Sequence, residues 1–273
     1  MGVLNVTPDS FSDGAVNADT AAAVARGLAM AAGGADIIDV GGESTRPGAA
    51  PVETGLEIER VVPVIAELAA ARVVVSVDTM KPEVAAAAVA AGAEIINDVG
   101  GLRDPAMIEV AAALETGVVI MHMRGEPRTM QADTRYEDVV GEIKAYLETQ
   151  AEAAVAAGID RKRVAIDPGI GFGKSHLQNL ELLNRCADFI SAGFPVVVGA
   201  SRKGFLGTVL QAAGRETVAA ERDAATSATV TAAIVGGAAV VRVHDVARAQ
   251  EVARTTDAIV RGQFEGEETI GGT

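Results

Sequence analysis

The sequence predicts a single-domain α/β protein with the architecture of a (β/α)8 TIM barrel. Eight short segments rich in valine and isoleucine alternate with alanine-rich helical segments along the 273 residues. The strand segments lack regular alternation with polar residues, which is typical of parallel strands buried on both faces. No linker rich in serine, proline or glycine separates two halves, and this continuity favours a closed barrel over an open doubly wound sheet.

Each predicted strand is a β-branched run, and each predicted helix is an alanine-rich stretch bounded by polar or glycine residues. The strands are 2–6, 36–40, 73–77, 94–97, 118–121, 163–166, 195–198 and 239–243. The helices are 20–33, 52–71, 82–91, 105–116, 136–157, 177–192, 222–236 and 246–261. Asp104 before Pro105 indicates a helix start, and helix ends are expected at Gly33, Gly92, Gly158 and Gly193. The barrel is predicted to span residues 1–262, followed by a flexible acidic tail at 263–273.

Charge and composition narrow the class of protein. The chain has 23 basic and 37 acidic residues, a net charge of −14 and a pI near 4.7, which works against nucleic-acid and anionic-membrane partners. A hydrophobic content of 49% excludes a disordered or fibrous protein. The start of the chain does not have the pattern of a signal peptide, and the lone Cys186 is expected to be buried and inert. We therefore expect a cytoplasmic protein that acts on small molecules.

Polar residues follow the predicted strands, at the end of the barrel where this fold carries its chemistry. Asp78, Asn97 and Asp167 end unusually apolar strands, so we expect them to converge on the barrel mouth. Two carboxylates and an amide suit a flat heterocycle with a guanidine-like edge, and the spacing does not choose between a pterin, a purine and an amidine. Asp39 and Asp98 are interpreted as caps of the following helices.

Basic residues of this acidic chain cluster after the last two predicted strands, where TIM barrels bind phosphate. Lys203, Arg242 and His244 are the candidates there, and Arg46 after the second strand is a further one. Such a cluster suits a pyrophosphate group. Arg202 fits a salt bridge on the barrel rim as well as it fits a ligand contact.

A glycine-rich run at 168–175 imitates a Walker A loop but has Pro168 in place of the first glycine. Its glycines allow the backbone to approach a ligand closely, and Phe172 is expected to be exposed at the border of the pocket. Lys174 is interpreted as a solvated loop charge. The sequence has no HExxH or CxxC pattern for zinc, whereas Asn5 is a candidate magnesium ligand or a hydrogen-bonding loop residue.

Eight motifs, in this order along the chain, resemble those of the dihydropteroate synthase family. They are LNVTPDSFSDG at 4–14, DVGGESTRPGA at 39–49, SVDT at 76–79, IND at 96–98, MH at 121–122, DPGIGFGK at 167–174, GASRK at 199–203 and RVHDV at 242–246. The resemblance covers residues 1 to about 246. It implies a homodimeric transferase of folate biosynthesis and a sulfonamide target. Its reaction would condense 6-hydroxymethyl-7,8-dihydropterin pyrophosphate with p-aminobenzoate, giving 7,8-dihydropteroate and pyrophosphate.

The resemblance also implies a role for each residue at a matching motif position. The implied pterin contacts are Asp78, Asn97, Met121, Asp167, Lys203 and Arg242. The implied pyrophosphate contacts are Asn5, Thr45, Arg46, Arg242 and His244, with Asn5 also binding Mg²⁺. The implied border of the p-aminobenzoate site consists of Phe11, Pro47, Phe172 and Lys203. The implied catalytic residues, which serve a dissociative (SN1-like) reaction under a closing loop at 7–19, are Asp13, Asp78, Asp167 and Lys203.

The chain departs from the family pattern at three places, and three other functions compete with the synthase. Family members usually have a segment before the first motif, whereas Met1 stands at the start of the first predicted strand. Gly204 stands where serine is common, and Ala15 stands where a second glycine is common. A methyltetrahydrofolate-type methyltransferase with a corrinoid partner needs no pyrophosphate site, so Lys203 and Arg242 argue against it. A non-catalytic pterin-binding paralogue does not require the full set of catalytic candidates, and a Schiff-base aldolase using Lys203 leaves the aspartates without a role.

Overall fold

The computed structural model describes residues 1–7, 16–45 and 48–262, in which strands and helices alternate. The strands are β1 Gly2–Asn5, β2 Ile37–Gly41, β3 Val74–Asp78, β4 Ile95–Asp98, β5 Gly117–Met121, β6 Val164–Asp167, β7 Val197–Val198 and β8 Val240–Val241. The helices are α1 Val16–Ala32, α2 Thr54–Ala70, α3 Pro82–Ala90, α4 Pro105–Ala113, α5 Val139–Ala156, α6 His176–Asn184, α7 Ala187–Ile190, α8 Gly204–Ala212, α9 Asp223–Val235 and α10 Val246–Arg261.

The eight strands close into a barrel in chain order. Strands β1 to β6 form one continuous parallel sheet, and β7 pairs in parallel with β8. Parallel bridges from Ile166 to Val196 and from Gly2 to Val243 join these two parts, and the Val3 N–H donates to the Val243 carbonyl at 2.9 Å. The predicted TIM barrel is confirmed.

Successive side chains along each strand point to opposite faces, so one face of the strand packs in the main core and the other lies inside the barrel. Residues such as Ile38, Val40, Val75 and Val77 are fully buried in the main core, which also contains apolar residues of the surrounding helices. The residues on the other face near the strand ends are mostly polar: Asn5, Asp39, Ser76, Asp78, Asn97, Asp167 and Arg242. The barrel interior is therefore polar at its carboxyl end, although each strand is mostly apolar in sequence.

Strand bounds differ from the predicted ones by up to two residues, and the helix predictions were wrong in two places. The predicted helix at 177–192 is two helices, α6 and α7, interrupted at Arg185 and Cys186. Helix α8 was not predicted, because Gly204 and Gly207 lower its intrinsic helix propensity. Packing explains why position 207 in this helix is glycine, because a β-carbon there would lie 2.7 Å from the Arg222 guanidinium.

Several smaller expectations were met. The Asp104 side chain accepts a hydrogen bond from the Ala106 N–H and caps α4. Cys186 is buried, and burial raises the pKa of its thiol to about 11. Gly92, Gly158 and Gly193 all have positive φ, as expected of residues that end helices. At the end of α1 the residue with positive φ is Gly34, not the expected Gly33.

Some predicted residues lie outside the described part of the chain. They are Phe11, Asp13, Arg46, Pro47 and the tail at 263–273. Among the described residues, none of the helices combines the length and the apolar content that a membrane span needs.

Two glycines with similar backbone angles allow a matched test of packing between the outer helices. Gly92 has φ 113° and Gly158 has φ 103°. A β-carbon on Gly92 would lie 2.6 Å from Ala69 Cβ in α2, whereas one on Gly158 would meet nothing within 4 Å. We expect Gly158→Ala to lower the free energy of unfolding by about 1–2 kcal/mol through backbone strain alone. Gly92→Ala is expected to cost about 1–3 kcal/mol more through overpacking, measured by urea unfolding. Equal losses would contradict this packing argument.

Candidate active site

Arg242, directly after β8, joins carboxylates from two strands across the barrel mouth. Its Nε donates to Asp39 Oδ2 at 2.6 Å, and its Nη2 donates to Asp78 Oδ2 at 2.6 Å. The Arg242 side chain is 18% exposed, and those of Asp39 and Asp78 are 0% and 6% exposed. Such buried, charge-assisted hydrogen bonds fix the plane of the guanidinium. Although burial opposes it, the pair of carboxylates raises the pKa of Arg242, so the guanidinium stays charged.

The interpretation of Asp39 as a helix cap is wrong. Its Oδ2 accepts hydrogen bonds from the Arg242 guanidinium and, at 3.0 Å, from Asn97 Nδ2. Asp39 lies inside β2, so its side chain points into the barrel and cannot reach a helix start. The same interpretation is wrong for Asp98, the last residue of β4, because its carboxylate accepts hydrogen bonds from the Gly100 and Leu102 N–H groups of the following loop at 2.7 and 2.8 Å.

Two buried carboxylate oxygens in the mouth have unused capacity to accept hydrogen bonds. Asp39 Oδ1 and Asp78 Oδ1 have no hydrogen-bond partner among the described residues. Burial raises the pKa of Asp78 to about 7, although Arg242 opposes this rise. Burial also raises the pKa of Asp167, whose Oδ1 accepts a hydrogen bond from the Gly169 N–H at 2.7 Å. Carboxylates held in this way can accept hydrogen bonds from the N–H groups of a bound molecule.

Lys203 precedes α8 and lies beside an apolar wall of the mouth. Its Nζ is 3.9 Å from the centroid of the Phe172 ring, a cation–π contact. Phe172 is only 6% exposed, so the expectation of an exposed ring is wrong; the ring packs in a small buried cluster that includes Met121. The positive charge of Lys203 also opposes the rise in the pKa of both Asp78 and Asp167.

Two glycines at strand ends show which side chains share the mouth. A β-carbon on Gly41 would lie 3.7 Å from Asp78 Oδ2 and 3.8 Å from Asn5 Oδ1. A β-carbon on Gly199 would lie 3.7 Å from Arg242 Cβ and 3.9 Å from Asp167 Oδ2. The structure therefore brings the following predicted residues to one mouth: Asn5, Asp78, Asn97, Met121, Asp167, Phe172, Lys203 and Arg242.

The remaining polar residues of the last two loops have distinct partners. Arg202 forms a bidentate pair with Asp223, with Nε to Oδ1 at 2.7 Å and Nη2 to Oδ2 at 2.8 Å. Of its two interpretations, the structure supports the rim salt bridge. His244 Nδ1 lies 3.0 Å from Ser201 Oγ, which also accepts a hydrogen bond from the His244 N–H. Ser201 thus orients the imidazole beside the end of β8.

Lys174 is buried, so the interpretation of a solvated loop charge is wrong. The residue is 1% exposed, and its Nζ donates to the carbonyls of His122, Gly169 and Phe172 at 3.0, 2.8 and 3.0 Å. The glycines of this loop have positive φ, which turns the carbonyls inward around the ammonium. Burial lowers the pKa of Lys174 well below its usual value and that of His122 to about 2. The neutral His122 ring, 3.0 Å from the ammonium through Nδ1, completes the enclosure.

Known proteins match both the sequence and the barrel. The family model described as pterin binding enzyme matches residues 1–244. The chain is 41% identical over 263 residues to the dihydropteroate synthase of Synechocystis sp., covering 96% of this chain and 90% of that one. It is 47% identical over 253 residues to that of Mycobacterium leprae, covering 90% and 88%. The Xanthomonas albilineans dihydropteroate synthase, solved with 4-aminobenzoic acid, superposes with a TM-score of 0.87 at 46% identity, covering 95% and 92%.

A polar barrel mouth together with the family match defines the chain as a member of the pterin-binding enzymes. Relatives that are more than 40% identical to this chain, and 90% of whose length it covers, identify the family within this class. Within that class, the chain belongs to the dihydropteroate synthase family of folate biosynthesis, transferases that join a dihydropterin to p-aminobenzoate.

Replacing the buried lysine tests whether its ammonium holds the loop after β6. We expect Lys174→Met to lower the free energy of unfolding by about 3 kcal/mol or more, because three buried carbonyls lose their donor. Lys162→Met, at an exposed lysine, is the control and should change it by less than about 0.5 kcal/mol. Equilibrium unfolding in urea gives both values, and a Lys174→Met loss no larger than that of the control would refute the structural role.

Proposed function

We propose that the residues of the mouth catalyse a dissociative condensation of 6-hydroxymethyl-7,8-dihydropterin pyrophosphate with p-aminobenzoate. The C–O bond between the pterin methylene and pyrophosphate breaks first, and both bonding electrons leave with pyrophosphate. The arylamine nitrogen then donates its lone pair to the methylene, and the resulting arylammonium loses a proton to water. The observation that carries this proposal is the juxtaposition of the buried carboxylates Asp78 and Asp167 with the cations Lys203 and Arg242 around one mouth.

The carboxylates are assigned to the pterin. A pterin presents adjacent N–H donors and a carbonyl, which suit Asp78, Asp167 and Asn97. The Arg242 guanidinium, fixed in its plane by two carboxylates, is assigned to stack on the ring, and Met121 is assigned to pack against it. Positive charge that develops on the pterin methylene is stabilised by the ionised aspartates, because a partly desolvated site strengthens such interactions.

The cations are assigned to the leaving pyrophosphate. Arg242 and His244 lie two residues apart at the end of β8, and Thr45 lines a small cavity together with Asp78. Arg46 belongs to the same motif and stays a prediction, since it lies outside the described residues. Hydrogen bonds and positive charge at the departing oxygens favour bond cleavage, which is the difficult step when the nucleophile is a weak one.

The residues of the mouth fit a magnesium ion that binds mainly to the substrate. Among the described residues, no group of three or more histidine, cysteine, aspartate or glutamate side chains forms a metal cage. Mg²⁺, however, usually takes one or two protein oxygens and completes its shell with phosphate and water. Asn5 offers an amide oxygen near Asp78, at the notch that a β-carbon on Gly41 would fill. Bound there, Mg²⁺ would neutralise charge on the phosphate oxygens.

The wall formed by Phe172 and Lys203 is assigned to p-aminobenzoate. The ring face offers apolar contact, and the ammonium beside it attracts a carboxylate. Solved structures of the Xanthomonas albilineans relative with 4-aminobenzoic acid and with 7,8-dihydropteroate support this pairing of substrates. Phe11, Pro47 and Asp13 stay predictions. An arylamine is neutral at pH 7, so the mouth needs no general base to activate it.

Two further proposals concern the protein in its surroundings. We propose a homodimer, in keeping with the family resemblance, and a cytoplasmic location. A single buried cysteine, Cys186, with its thiol pKa raised by burial, suits a reducing compartment.

The raised pKa of Asp78 predicts a pH dependence of pterin binding. The ionised carboxylate accepts the pterin N–H groups, so protonation of Asp78 competes with binding. Since the pKa of Asp78 is about 7, the dissociation constant of 6-hydroxymethylpterin should rise as pH falls through this value, by up to about tenfold per pH unit. In Asp78→Asn the binding should be weaker, and its pH dependence near 7 should be smaller, with Asp167 as the remaining pterin carboxylate whose pKa is raised by burial. Calorimetric titrations measure both, and an unchanged slope in Asp78→Asn would rule out this assignment.

Turnover of two variants tests the charge arrangement. We expect Asp167→Asn and Lys203→Ala to slow p-aminobenzoate-dependent pyrophosphate release about 10²- to 10³-fold, because each removes one preorganised charge. Arg261→Ala, a change in the last turn of α10, is the control and should be near wild type. Near wild-type rates in both site variants would refute the proposed roles, and failure to form 7,8-dihydropteroate from the two substrates would refute the condensation itself.

If the C–O bond to pyrophosphate breaks before the C–N bond forms, the basicity of the arylamine should not control the rate. With the pterin substrate and a series of ring-substituted p-aminobenzoates, all saturating, the rate of the chemical step should be nearly independent of amine basicity. A rate that rises steeply with basicity in rapid-quench measurements would instead indicate direct displacement by the amine.

A further inference from the structure

A partly buried ion-pair cluster lies beside the mouth, and the reaction proposed for the mouth assigns it no role. Lys81, which precedes α3, places its Nζ 2.5 Å from Glu57 Oε2, 2.6 Å from Glu43 Oε2 and 2.7 Å from the Val52 carbonyl. The Glu57 side chain is 1% exposed, and those of Glu43 and Lys81 are 13% and 24% exposed. We refer to Glu43, Glu57 and Lys81 as the clamp.

The clamp joins the beginning and the end of the β2–α2 loop, the connection that contains Thr45. Glu43 and Val52 stand at the two ends of this loop. The Val52 N–H donates to Glu43 Oε2 at 3.1 Å, while the Val52 carbonyl accepts from Lys81. Glu43 and Val52 are thereby both tied to one ammonium group, which restricts the conformations available to Glu43 and to Thr45, two residues along the chain.

The other side of the clamp is anchored at the end of β3. Thr79 Oγ1 donates to Glu57 Oε1 at 2.8 Å and accepts from the Lys81 N–H at 3.2 Å. Thr79 directly follows Asp78, one of the carboxylates of the mouth. Thr45, Asp78 and the three residues of the clamp line one small cavity, so the loop and the mouth are in direct spatial continuity.

We propose that the clamp is a set of positioning residues that holds the β2–α2 loop so that Thr45 faces the diphosphate of the pterin substrate. This inference rests on the assignment of Thr45 to the pyrophosphate under Proposed function.

Hydrogen-bond capacity and charge argue against direct contact between Lys81 and the diphosphate. An ammonium has three donors, and Lys81 has three close acceptors in Glu43, Glu57 and Val52. Two carboxylates against one ammonium give the clamp a net negative charge, which repels a diphosphate. Lys81 therefore acts on the substrate through the loop.

A pair of ligands that differ only in the diphosphate separates positioning from general damage. The dissociation constants of 6-hydroxymethylpterin and of its diphosphate ester, measured by calorimetry with Mg²⁺ on the full chain, define the preference for the ester. We expect Lys81→Met and Glu43→Gln each to lower this preference about tenfold, while binding of the alcohol stays within about twofold of wild type. The double variant should lose little more than either single variant, because the two changes break one unit. Lys144→Met, which removes a lysine paired with Glu148 on α5, is the control and should leave the preference unchanged.

Other outcomes would overturn the inference in distinguishable ways. If Glu43→Gln strengthens ester binding while Lys81→Met weakens it, Lys81 contacts the diphosphate directly. If both ligands lose affinity equally, the clamp supports only the fold. Glu43→Gln keeps a side chain able to hydrogen-bond to Val52, so it serves as the test if Lys81→Met does not fold. A wild-type protein without any preference for the ester would refute the pyrophosphate site itself, and the clamp proposal with it.

Discussion

One desolvated ion cluster organises the barrel mouth: the Arg242 guanidinium between Asp39 and Asp78. Each of its two hydrogen bonds is 2.6 Å long, and the two carboxylates come from different strands. Because Asp39 also accepts from Asn97, the same cluster orients an amide on a third strand. An arginine lost from this place would leave two buried carboxylates without their counter-charge, a strongly destabilising arrangement. The positions of the proposed pterin contacts therefore depend on this one side chain.

This arrangement costs stability, as functional sites often do. The pKa of Asp78 is raised from its ordinary value to about 7 by burial, so the folded protein binds a proton that the unfolded chain releases at lower pH. The contribution of Asp78 to the free energy of unfolding therefore falls as pH rises from the pKa of the unfolded chain to about 7. Above this pH the loss of stability is complete. A ligand that donates hydrogen bonds to the ionised carboxylate recovers part of this cost, which couples binding to stability.

Much of the fold and of the mouth is predictable from sequence, because strand order and the carboxyl-end rule place Asp78, Asn97, Asp167, Lys203 and Arg242 together. Other features depend on contacts between distant segments, and these were missed. In the sequence, Asp39 resembles any polar residue near a strand end. Its role is visible only in the folded protein, where it accepts a hydrogen bond from Arg242, 203 positions away. Lys174 is charged and glycine-flanked, which is typical of a surface loop, and only the folded loop shows its carbonyls turned inward.

In the proposed function, the carboxylates at the strand ends and the fixed Arg242 guanidinium form the pterin site. The most direct test is a crystal structure of this chain with 6-hydroxymethylpterin. We expect pterin N–H groups within hydrogen-bond distance of the Asp78 and Asp167 carboxylates, with the Arg242 guanidinium stacked on the ring and still paired with Asp39. A pterin bound elsewhere, or in the mouth without contact to either aspartate, would contradict this assignment.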